Sequence, residues 1–96
     1  MYKTQSKEYM VVCTSYEEAV ARYWYTVGYF RGKGCEFRHI PNGLFIDFIG
    51  IRFVSWTDAE SIKAAPSYTT IVYSDTESIT NMLNNIERRL KNDQLP

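Results

Sequence analysis

Cys35-Glu36-Phe37-Arg38-His39-Ile40-Pro41-Asn42-Gly43-Leu44-Phe45-Ile46-Asp47-Phe48 is the stretch on which the fold turns. Side chains alternate with a period of two on both sides of Pro41-Asn42-Gly43, which marks two β-strands. The break between them carries turn chemistry, because an Asn-Gly pair tolerates the positive φ that tight hairpins require. Leu44, Ile46 and Phe48 then share one face, and Phe45 and Asp47 the other. Ile49-Gly50 interrupts the run, with Gly50 expected at a tight turn or bulge, and Ile51-Arg52-Phe53-Val54-Ser55-Trp56 reads as a third consecutive strand. The centre of the chain is therefore expected to be an antiparallel β-meander.

Towards the amino end, Tyr9-Met10-Val11-Val12-Cys13 is a short β-prone apolar run that reads as a buried strand. Ser15 followed by Glu18 is a capping-box pattern, in which side chains satisfy the orphaned donors of a first helical turn. Tyr16, Ala19, Val20, Tyr23, Trp24 and Val27 recur at helical spacing and predict one broad apolar face, with Tyr23 and Trp24 in the core. Gly32 and Gly34 suit the left-handed geometry of a C-cap, so the helix is expected to end near Phe30 or Arg31.

Towards the carboxyl end, Thr57 and Glu60 repeat the capping pattern for a short helix to about Ala64, which Pro66 stops. The β-branched and aromatic run Tyr68-Thr69-Thr70-Ile71-Val72-Tyr73 predicts a strand. Asp75 or Thr76 then caps a last helix with the apolar stripe Ile79, Met82, Leu83, Ile86 and Leu90. Asn81, Asn84, Asn85, Glu87, Arg88, Arg89 and Lys91 are expected to face solvent, with Glu87 and Lys91 as an i,i+4 pair. The order β-α-β-β-β-α-β-α, with two amphipathic helices that need a sheet to cover, predicts a two-layer α+β domain. The first and fifth strands both look central or well covered. Their places in the sheet do not follow from pattern.

At 96 residues the chain is expected to form a single domain, 1–96, with the polar ends 1–6 and 92–96 expected to fray. Eleven Lys and Arg balance eleven Asp and Glu, which argues against non-specific electrostatic capture of nucleic acid or anionic membrane. No apolar run approaches a spanning length, and the polar start lacks a signal peptide's apolar stretch. Cys13 and Cys35 form neither a disulfide framework nor a zinc site, and reduced thiols in apolar surroundings point to the cytoplasm.

Residues able to carry chemistry are few. His39, the only histidine, lies in an alternating strand, and no strained nucleophile turn accompanies it. Asp47, Asp58, Asp75 and Glu77 are scattered away from any metal-ligand spacing. Gly28, Gly32 and Gly34 follow a helix, whereas a phosphate-cradling loop precedes one. The reading is of a chain without enzymatic activity, metal or cofactor. One stretch does interleave rings with cations: Arg22, Tyr23, Trp24, Tyr25, Tyr29, Phe30, Arg31, Lys33, Phe37 and Arg38. Tyr25 and Tyr29 fall together on the flank opposite the apolar stripe, with Arg22 alongside.

Val11-Val12-Cys13-Thr14-Ser15 leading to Tyr23-Trp24, Asn42-Gly43 leading into Ile51-Arg52-Phe53-Val54-Ser55, Asp58-Ala59-Glu60-Ser61-Ile62, and Ile71-Val72-Tyr73-Ser74-Asp75 together give residues 9–77 a resemblance. They resemble part of the P-loop ATPase core of phage terminase large subunits and related helicases. The resemblance matches Asp75 to the aspartate of a Walker B motif. Thr76 follows it, Glu77 stands one place late, and the phosphate-binding loop is missing. The resemblance therefore implies no ATP hydrolysis. In size, tyrosine content and lack of catalytic motifs the chain is also similar to small phage-encoded inhibitors of bacterial defence, including anti-CRISPR proteins.

These readings converge on a protein-binding module that acts by occlusion on a larger protein or nucleoprotein assembly. Its expected contact surface is Arg22, Tyr25, Tyr29, Arg31, Lys33 and Arg38, since Tyr and Arg are enriched at interface hot spots. The alternative is a nucleic-acid accessory module that uses the same cations for phosphates and the tyrosines for stacking. No membrane partner is expected, and a homodimer through an edge strand or the tyrosine flank is compatible with the sequence.

Overall fold

The computed structural model describes residues 7–94 as a mixed α/β arrangement, with an open five-stranded sheet under two long helices. The strands are β1 (Lys7–Cys13), β2 (Arg38–Ile40), β3 (Gly43–Ile46), β4 (Ile49–Ser55) and β5 (Thr69–Tyr73). The helices are α1 (Tyr16–Gly32), the short α2 (Ala59–Lys63) and α3 (Thr76–Gln94). The expected fraying of 1–6 lies outside the described residues. At the other end the helix continues to Gln94, further than expected.

The sheet order is β2-β3-β4-β1-β5. Only β2, β3 and β4 pair antiparallel; β1 lies parallel to both β4 and β5. The sheet is thus mixed, and the meander is one half of it. Val11 stands in register with Phe53 on one side and Val72 on the other. This central place explains why Tyr9-Met10-Val11-Val12-Cys13 is so apolar: with strands on both sides and helices above, Tyr9, Met10, Val11 and Cys13 are buried. The expectation that β5 is also central or well covered is corrected: it is an edge strand, with Ile71 and Tyr73 exposed.

Strand limits also shift. The turn between β3 and β4 is Asp47-Phe48, where Asp47 takes φ 56°, and Gly50 lies inside β4 opposite Phe45. A short polar side chain makes Asp one of the few residues that adopts left-handed backbone readily. Of Cys35–Ile40, only Arg38–Ile40 pairs. Gly43 meets a stricter demand. A Cβ there would lie 1.9 Å from the Ile51 carbonyl oxygen, so β3 and β4 approach as closely as they do only because no side chain intervenes.

Local signals account for the helix ends. Ser15 Oγ accepts from Glu18 N–H at 3.1 Å, while the Glu18 carboxylate accepts from Thr14 N–H at 2.7 Å. The box is therefore closed one residue further upstream than the pattern suggests. At the C-terminus of α1, Cys35 N–H reaches the Phe30 carbonyl at 3.0 Å and Gly34 N–H reaches Arg31 at 3.1 Å, with Gly34 at φ 74°. This is a Schellman motif, and it carries α1 to Gly32. Asp75 caps α3 by accepting from the N–H and hydroxyl of Ser78, both at 2.8 Å. In α2, Asp58 takes the cap position, its carbonyl accepting from Ile62 N–H, while the Thr57 hydroxyl is bonded to Ser55 instead.

The core lies between one sheet face and the two long helices. Tyr9, Val11 and Cys13, Leu44 and Ile46, Ile49, Ile51 and Phe53, and Val72 meet Ala19, Val27 and Phe30 of α1 and Ile79, Met82, Leu83 and Ile86 of α3. Thr26, the one buried polar side chain among the described residues, donates back to the Arg22 carbonyl at 2.9 Å. On the opposite face Met10 and Val54 are buried, beside an ion pair in which Arg52 Nε and Nη2 donate to Glu8 Oε2 at 3.0 and 2.7 Å.

Candidate protein-docking surface on the first helix

The outer side of α1 divides into two flanks. One faces α3. There Arg22 donates from Nε to Ser74 Oγ at 3.1 Å and from Nη2 to the Ser74 carbonyl at 2.8 Å. The Tyr29 hydroxyl donates to Glu87 Oε1, and Lys33 Nζ lies 3.4 Å from Glu87 Oε2 and 5.3 Å from the Tyr29 ring centre. The Glu87 carboxylate beside the phenol, with some burial, pushes Tyr29 up to about 12. The same hydrogen bond, aided by Lys33, holds the Glu87 carboxyl below its usual range. This flank is a seam between α1 and the segment that runs from Ser74 into α3. Glu87, expected to face solvent, turns to α1, while Lys91, its expected i,i+4 partner, still helps to hold its carboxyl down.

The six residues expected to form one contact surface therefore do not converge. Arg22, Tyr29 and Lys33 belong to the seam. Arg31 is exposed and sits 5.8 Å from the Phe37 ring centre. Arg38 shares a face with Phe45, away from α1, and lies 5.2 Å from its ring centre. Only Tyr25, at 54% exposure, is the open ring the helical wheel called for.

The other flank holds what the wheel missed. Tyr16, Val20 and Trp24, read from the sequence as part of the apolar core face, are exposed; Tyr16 reaches 71% and Trp24 56%. The spacing 16, 20, 24 aligns them in one row. Beneath it Tyr23 is half-buried, its hydroxyl bonded to His39 Nδ1 and its ring edge-on to Phe53 and Trp24. A groove of about 280 Å³ runs beside the row, between α1 and the Asn42-Gly43 turn, floored by Ala19, Ile40 and Phe53. The available signal was the width of the apolar arc. Six apolar positions from 16 to 27 cover more of the helix than a single sheet face can shield.

No family model matches this chain, and no curated protein or solved structure does either.

His39 serves Tyr23. Burial pushes the Cys13 thiol up, which makes it a poor nucleophile. Asp75, the residue matched by the terminase-like resemblance, is a helix cap whose carboxyl the Ser78 N–H holds down. Among the described residues no group of three or more His, Cys, Asp or Glu is placed to hold a metal ion, and no helix is long and apolar enough to cross a membrane.

Proposed function

We propose that this chain is a non-enzymatic binding module that docks on a larger protein assembly through the outer flank of α1. The exposed row Tyr16, Val20 and Trp24 beside its groove carries the reading. A buried aromatic contributes about 150–250 Å² of contact, and at about 25 cal/mol per Å² two such rings supply the anchor of an interface. The cations needed for a nucleic-acid reading are dispersed: Ser74 engages Arg22, Glu87 engages Lys33, and Arg38 lies on another face. That distribution favours a protein partner. Like the small phage-encoded inhibitors of bacterial defence, the module acts by occlusion, filling a groove or assembly surface that its target needs.

Co-elution of the purified protein with candidate host nucleoprotein complexes tests this. Tyr16→Ala combined with Trp24→Ala abolishes co-elution while the far-UV circular dichroism stays unchanged. Undiminished binding by that folded double variant overturns the reading. Binding that instead falls steeply with salt and persists on naked oligonucleotides supports the nucleic-acid alternative.

A further inference from the structure

The two edges of the sheet differ in a way that bears on assembly. β2 is three residues long, carries Arg38 and His39, and is followed at once by Pro41. Short length, charge and proline are the usual devices that keep an edge from pairing with another chain. β5 has none of them. Its five residues, Thr69-Thr70-Ile71-Val72-Tyr73, are uncharged, β-branched or aromatic, and free of glycine and proline. Ile71 and Tyr73 are 42% and 70% exposed. Along its outer side alternate backbone N–H and C=O groups have no neighbouring strand among the described residues.

We propose that β5 pairs antiparallel with the β5 of a second copy, joining two sheets into one of ten strands. A two-fold axis through this edge sets Ile71 against its own counterpart and Tyr73 against the second copy's Thr69. Both are uncharged pairings of the β-branched or aromatic kind that stabilises neighbouring strands. In this register the strand is complementary to itself. Lys7 Nζ donates to Thr70 Oγ1 at 2.6 Å, so one cation per copy stands at this strand. The whole chain is neutral, and Thr80, Asn81, Asn84 and Asn85, exposed on the middle turns of the α3 helix that packs on β5, are uncharged. Ile71 and Tyr73 lie in register with Met10 and Val12, so pairing extends the partly covered second face into a continuous apolar surface.

Sedimentation equilibrium over a dilution series tests the proposal. Wild-type protein approaches twice 11.2 kDa at high concentration, and Ile71→Lys with Tyr73→Lys stays at the single-chain mass with its circular dichroism preserved. Trp24→Ala leaves the dimer intact, which separates this contact from the α1 docking surface. A wild-type chain that remains a single copy throughout overturns the proposal, as does a dimer that survives the lysine variant or is lost with Trp24→Ala. If the lysine variant fails to fold, amide hydrogen exchange on the wild type decides. Protection of Thr69–Tyr73 that rises with concentration supports the pairing, and protection independent of concentration overturns it.

Discussion

Two glycines show how much a single side chain weighs at different places. Gly43→Ala forces a methyl group onto the Ile51 carbonyl, so the β3–β4 pairing has to open. A loss of about 3 kcal/mol is expected, read as a lower urea midpoint. Gly28 lies exposed on α1 with nothing within 4 Å of where a Cβ would stand. Gly28→Ala therefore stabilises the protein by about 0.5–1 kcal/mol, because alanine has less freedom to lose in the unfolded chain. The Tyr29–Glu87 pair offers a spectroscopic test. In an absorbance titration at alkaline pH one tyrosine ionises late, near 12, and Glu87→Gln returns it towards the ordinary value of 10.0. Neither glycine could be ranked from the sequence, since the close contact at Gly43 comes from a strand partner eight residues away.

At the scale of elements, what was legible was what is local. Ser15 and Asp75 stand at their caps because the donors they satisfy lie three residues on. Ile79, Met82, Leu83 and Ile86 are buried as their spacing requires. Ser15→Ala is expected to cost about 1 kcal/mol, a fall in Tm of about 4–8 °C. The helical wheel failed on Tyr16 and Trp24 because periodicity gives the direction of an apolar face but not how far the sheet extends beneath it. The candidate contact surface consequently moved from the tyrosine flank to the opposite one, and of the two tyrosines expected there only Tyr25 is exposed. Trp24 and Trp56 are both exposed. With Trp56→Phe, Trp24 emission is expected at long wavelength and quenchable by iodide, and a partner seated on α1 shifts it to shorter wavelength and shields it.

Over the whole molecule, acid and alkali are expected to act through different contacts. Glu18, Asp75 and Glu87 are all held below their unfolded values, by the Thr14 N–H, the Ser78 N–H and the Tyr29 hydroxyl in turn. Their contribution is complete above the unfolded carboxylate range of about 4 and disappears as pH falls through the lower folded values. Tyr29 is raised, so its contribution is complete below 10.0 and lost as pH climbs through about 12. Urea midpoints measured across pH should therefore trace a plateau with a fall at each end. That the fold mixes helices with a sheet was legible because it needs only the kinds of element. The sheet order was not, because which strand lies beside which is decided by contacts between distant segments. The place of β1 has one more consequence. It leaves the ribosome before either of its neighbours exists, and β4 and β5 begin 36 and 56 residues after its last residue, at Ile49 and Thr69. Until both have been synthesised, Met10-Val11-Val12 is a bare apolar segment with no place to go, which makes nascent chains halted inside that interval natural clients for a holding chaperone.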